Sequence, residues 1–205
     1  MPRNTIILRA DNPLGPFTEY GEKPKPPIGQ RTLDGTFWRD DKGQNWLIYC
    51  HEWRQIGDGA VRAIKLTKDM AATIGDSILL FNASQSGWAE SIHKNKTSVI
   101  TDGCYLYKTK RGDLLMIWSS FRRPDGPESK PTYSIGVARS ASGKIEGPWT
   151  HDKELLYEAH GGHGMLFKDL NHKLQMAFHQ PNNGSKERLR LIELIEKNNS
   201  LVPVI

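Results

Sequence analysis

Apolar residues in this chain fall in short runs. "NWLIYC", "AVRAIKL", "DSILLF", "DLLMIWSSF" and "LQMAF" are rich in β-branched and aromatic residues, and Gly, Pro, Asn and Asp separate them. Runs of this kind, bounded by turn residues, predict strands. Long amphipathic helical patterns are nearly absent, so the chain reads as all-β.

The runs repeat. "DGTFWRDDKGQNWLIYCHEW" from Asp34, "DGCYLYKTKRGDLLMIWSSF" from Asp102 and "HGMLFKDLNHKLQMAFHQPN" from His163 align by eye. Each has a polar residue, a Gly, an apolar strand, a charged turn and a second apolar strand. The spacers repeat too: "ADNPLGPF" precedes Asp34 and "ARSASGKIEGPW" precedes His163, each with a Gly-Pro-aromatic turn. A unit of about four strands in roughly 60–70 residues matches the longer propeller repeats. Chance hairpins in a β-sandwich would not repeat two features in one order. The expected fold is a five-bladed β-propeller of four-stranded blades. Residues 1–33 read as the tail of a preceding blade, and 34–98, 99–160 and 161–205 as successive blades. Five blades on this spacing need roughly 300 residues. The chain is therefore expected to be incomplete, with about three and a half blades and open edges suited to self-association. In a propeller the first strand of each blade lines the axis. Asp34, Asp102 and His163 are thus expected to face one cavity, with the Gly after each leaving space at the axis.

Composition changes this picture little. The 205 residues are 37% hydrophobic and 25% charged, with a net charge of +5. The basic residues are interleaved with acids, Arg122–Arg123 being a rare adjacent pair, and no nucleic-acid motif is present. Cys50 and Cys104 are the only cysteines. Outside a C-x-x-C they read as buried free thiols. No apolar run has the length of a membrane span. "MPRNTIILRA" lacks the apolar segment of a leader, and the compartment is not readable.

Acids converging on a cavity point to glycoside hydrolysis, in which one carboxylic acid protonates the leaving oxygen and a carboxylate acts opposite. Crowding raises the pKa of one of them. On "RTLDGTFWRDDKGQNWLIY", "VITDGCYLYK" and "GGHGMLF" the chain resembles glycoside hydrolase family 43, five-bladed propeller enzymes acting mainly on arabinose- and xylose-containing glycans. The resemblance implies that Asp34 tunes and orients the general acid. It places the general acid in the Asp102 segment. It sets His163 on the axis, where it helps hold calcium or another ion through water. No other cofactor is implied, and His163 is the sole side chain expected to touch such an ion directly. Two departures stand out. The family pattern has Glu-Gly-Pro where this chain has Asp102-Gly103-Cys104, and Asp is one methylene shorter. Glu52 in "YCHEW" is therefore an alternative acid, its bland reading being a surface pair with Arg54 or Arg62. The family's base, an Asp early in the first blade, has no match upstream of Asp34.

Trp53, Trp88 and Phe121 are candidates to stack on sugar faces. His51 and Ser120, at strand ends, join them as candidate substrate contacts. Trp38, Trp46, Trp118 and Trp149 read as core. The loop "FRRPDGPESKP" is expected to rim the cleft. The expected activity is an inverting, exo-acting glycosidase on arabinofuranosyl, xylosyl or galactofuranosyl groups of plant-type polysaccharides. The expected partner is a carbohydrate, with no nucleic acid and no membrane. The alternative is an inactive fragment or carbohydrate-binding propeller without the base; a protein-interaction propeller suits the acidic axis least.

Overall fold

The structure is a computed structural model and describes residues 3–21, 27, 29–93, 97–123, 125–126 and 129–204. Most of the Pro-rich connection at 22–30 and part of the loop at 121–131 lie outside the described residues.

Three four-stranded antiparallel sheets follow one another, each a meander in chain order. The first contains β3 (Thr32–Arg39), β4 (Asn45–His51), β5 (Ala60–Leu66) and β6 (Thr73–Asn82). The second contains β7 (Asp102–Lys108), β8 (Leu114–Arg122), β9 (Thr132–Ser140) and β10 (Trp149–His151). The third contains β11 (Gly162–Lys168), β12 (Leu174–Gln180), β13 (Arg188–Lys197) and β14 (Ser200–Pro203). Before them, β1 (Leu8–Arg9) pairs with β2 (Thr18–Glu19).

The sheets stack face to face like successive propeller blades. Trp46, Ile48, Phe81, Met116 and Trp118 pack between the first and second sheets, with Trp38, Trp88 and Trp149 against them. Ile117, Ile135, Leu166, Met176 and Phe178 pack between the second and third. Leu47, Tyr49, Ile64 and Leu66 lie on the other face of the first sheet, covered in part by Ile7 and Met70. This double burial explains why β4 and most of β8 read as unbroken apolar runs: residues on both faces of those strands are buried. The four tryptophans expected in the core are there. Truncating a fully buried one such as Trp118 costs about 3–5 kcal/mol. The first strands lie side by side, β3 against β7 and β7 against β11. Their N-terminal ends therefore meet.

Candidate functional site

Each first strand carries a β-bulge near its start. Register with the second strand slips by one residue between Leu33 and Thr36, between Asp102 and Tyr105, and between Gly162 and Met165. The residue just inside each slip has positive φ: Asp34 at 53°, Gly103 at 56° and His163 at 57°. Gly takes this left-handed conformation freely; Asp and His are among the side chains that tolerate it. The structural equivalents are thus Asp34, Gly103 and His163. This corrects the sequence alignment: Asp102 stands one residue earlier, level with Leu33 and Gly162. The hairpins agree. Asp40, Thr109 and Asp169 close equivalent turns, each with a backbone N–H donating to the carbonyl four residues on.

The three bulges interlock. Asp34 Oδ2 accepts from the Gly103 N–H at 3.0 Å, and Asp34 Oδ1 lies 3.8 Å from His163 Nε2. A Cβ on Gly103 would lie 2.9 Å from His163 Cα and 3.0 Å from its ring. Gly103 is therefore demanded by space as well as by φ. His163 N–H donates to Ser119 Oγ at 2.8 Å, while its side chain stays about half exposed. Asp102, beside them, accepts from the Tyr133 hydroxyl at 3.0 Å. Burial and the Asp34 charge push the Asp102 carboxyl up to about 6; the Tyr133 hydrogen bond, His163 and Arg3 oppose the rise. A half-buried carboxyl beside a second carboxylate, its pKa raised toward neutrality, can serve as a proton donor.

The other expected residues divide. Glu52 is buried, and its carboxylate pairs with Arg3 and Arg31, not with Arg54 or Arg62. Through these two pairs it ties the segments before β3 to the end of β4. Trp88 is not a rim residue. Its ring lies on Gly136, where a Cβ would come within 2.6 Å, and 4.8 Å from the Trp118 ring. Ser120 is fully buried in β8 and out of reach of a substrate. His51 is nearly buried, with Nε2 2.9 Å from Gln55 Oε1. Trp53, half-buried, lies under the Arg54 guanidinium and 6.1 Å from His93. Phe121 packs at 4.9 Å on Tyr133, the residue whose hydroxyl donates to Asp102. Tyr133 escaped the sequence reading, which found no feature marking it.

Cys50 and Cys104 are free buried thiols, as expected, with sulfurs 3.9 Å apart across the first two sheets. Among the described residues no three His, Cys, Asp or Glu side chains converge to bind a metal. His163 and Asp34 alone suit an ion held through water at most. A concavity of about 740 Å³ lined by Asp40, Lys108, Lys144 and Glu146 lies at the turn end of the sheets, opposite the acids.

Comparison with known proteins gives these features a context. The family model described as Glycosyl hydrolases family 43 matches residues 2–196. An endo-arabinase from Bacteroides thetaiotaomicron VPI-5482 is 40% identical over 95% of this chain, with a TM-score of 0.87. The match covers 67% of the endo-arabinase chain, so this chain spans about two thirds of its length. A thermostable family-43 glycoside hydrolase shares the fold at 19% identity and a TM-score of 0.79, with 98% of this chain and 66% of that one covered. So does an arabinoxylan arabinofuranohydrolase from Bacillus subtilis, at 19% identity and a TM-score of 0.67, with 98% and 44% covered. No curated protein matches the chain.

Proposed function

Because this chain belongs to glycosyl hydrolase family 43, we propose that it hydrolyses arabinofuranosyl bonds of plant-type polysaccharides, with Asp102 as general acid and Asp34 as the carboxylate that keeps Asp102 protonated. The observation that carries this reading is the half-buried Asp102 carboxyl, held by the Tyr133 hydroxyl beside Asp34 and raised to about 6. The 40% identical endo-arabinase favours arabinosyl over xylosyl or galactofuranosyl substrates. In the mechanism, Asp102 gives its proton to the leaving glycosidic oxygen. Asp34, oriented by the Gly103 N–H, supplies the negative charge that disfavours Asp102 ionisation. Water attacks the opposite face of the sugar with inversion, giving its proton to a carboxylate base as it does so. Neither Asp34 nor Asp102 is assigned as the base for that water. The proposal therefore extends to the whole site, and a second reading stands beside it: a sugar-binding propeller without turnover, favoured by the short acid at position 102.

The test is hydrolysis of linear arabinan, aryl α-L-arabinofuranoside and aryl β-xyloside by the chain and two variants. Asp102→Asn is expected to lose on the order of 10²–10⁴-fold in rate. Asp34→Asn is expected to move the alkaline limb of the pH profile to lower pH, since Asp102 then ionises more easily. Product size separates the exo action expected from sequence from internal cleavage, and the first-formed anomer reports inversion. Arabinan binding without turnover supports the second reading and overturns the first.

A further inference from the structure

Tyr133 is a nearly fully buried residue of β9 that points across to the start of β7. Three features seat its ring. It stacks on His179 of β12, with centroids 5.7 Å apart and planes inclined by 12°. Phe121 of β8 packs on it at 4.9 Å. Gly162 of β11 makes room for it: a Cβ there would lie 2.3 Å from Tyr133 Cε1 and 2.6 Å from Cδ1. The first two residues of "GGHG" thus have an explanation beyond the turn. Gly161 faces the His179 carbonyl and Gly162 faces Tyr133, so the glycines of the third sheet shape a slot for a side chain of the second. Burial and the Asp102 charge raise the Tyr133 phenol well above the ordinary tyrosine range, so it stays an O–H donor wherever Asp102 titrates.

We infer that Tyr133, seated by Gly162 and stacked on His179, is a positioning residue for Asp102: it donates to Oδ2 and so leaves Oδ1 to carry the proton that is delivered. A carboxyl has two oxygens, and delivery needs the right one turned to the leaving group within a fraction of an ångström. A phenol whose single proton is given to Oδ2 disfavours a second proton on that oxygen, and so biases the choice toward Oδ1. Its hydrogen bond favours the ionised carboxyl, whereas Asp34 on β3 favours the neutral one; His163 on β11 and the Arg3 guanidinium act with Tyr133. The acid is thus set between opposed influences drawn from all three sheets. The inference rests on Asp102 being the acid proposed above, but the bond itself is testable without turnover.

The experiment is a ¹³C NMR titration of the Asp102 carboxyl in the whole chain, beside Tyr133→Phe, with pH–rate profiles on linear arabinan. Tyr133→Phe keeps the ring and its stacking and removes only the hydroxyl. The expected result is a rise of the Asp102 midpoint by about half a unit to one unit, a roughly three- to tenfold change in ionisation constant. The alkaline limb of the rate profile should move up with it while kcat falls and KM holds. Gly162→Ala, which displaces the ring, should raise the midpoint likewise. An unmoved Asp102 midpoint in folded Tyr133→Phe overturns the inference and leaves hydrolysis standing if the parent turns over. A moved midpoint in a chain that never turns over supports the positioning and removes the hydrolytic reading instead.

Discussion

The contributions of His151 and Asp102 to stability change in opposite senses over nearly the same interval of pH. His151 closes the second sheet, 4.7 Å edge-on to Phe81 and 5.7 Å from Trp118, with both ring nitrogens buried. Burial lowers its pKa from 6.5 to about 4. Between those values the unfolded chain binds a proton that the folded chain does not, so the contribution of His151 to stability falls as pH drops from 6.5 to 4. Asp102 behaves in reverse. Its folded pKa of about 6 lies above its ordinary value, so its contribution is fullest near pH 4 and falls as pH rises to 6. Each effect is on the order of 1–3 kcal/mol, the His151 value reduced by solvent screening. The two largely cancel in the parent chain. Urea midpoints across pH 4 to 6.5 should therefore diverge in the single variants. His151→Phe should lose stability relative to the parent's profile as pH rises, and Asp102→Asn should gain. Profiles parallel to the parent's would show that neither group titrates as its surroundings imply.

The bulge is the element that builds the site, and it explains what the sequence displayed and what it concealed. Repeated strand–turn–strand units and the core tryptophans were legible because their pattern follows from burial on one or both faces. The meeting of Asp34, Asp102 and His163 was legible from the same repeat. The register was not. Asp34-Gly35 and Asp102-Gly103 look alike as dipeptides, yet left-handed φ falls on the Asp in one and on the Gly in the other. Counting back from the equivalent turns at Asp40, Thr109 and Asp169 would have revealed it. Tyr133 was hidden for another reason: its contact with Asp102 depends on the missing Cβ of Gly162, a third-sheet residue remote in sequence. Two glycines now separate backbone from space. Gly43 has φ of 79° and nothing near its Cβ position; Gly103 has φ of 56° and meets His163. Gly43→Ala should cost about 1 kcal/mol and Gly103→Ala about 2–4 kcal/mol. Chemical denaturation checks the difference, and the His163 ring resonances should move in Gly103→Ala alone. Equal costs would mean that His163 yields freely and that the bulges do not interlock.

At the scale of the molecule the three sheets form a row whose apolar packing runs between neighbours, while His163 of the third also approaches Asp34 of the first at the bulges. The second is covered on both faces. The third packs Leu166, Met176 and Leu194 against the second, and its opposite face leaves Met165, Phe167, Leu189, Leu191 and Ile195 exposed among the described residues. A row of this kind behaves as a one-dimensional array, whose stability is a sum of unit and interface terms. The unit with an uncovered apolar face opens most easily. Amide exchange should therefore be fastest in β11–β14 and slowest in β8, with an opening free energy for the third sheet below that of global unfolding; uniform protection across the sheets would rule this out. The third sheet carries His163, Gly162 and His179, which hold the Gly103 bulge and the Tyr133 ring in place. Lifting it away would leave a cooperative two-sheet body, still folded, in which Tyr133 has lost its seat and Asp34 its histidine. Heating or dilute denaturant would then silence the site before any probe of the Trp118 core reports a change.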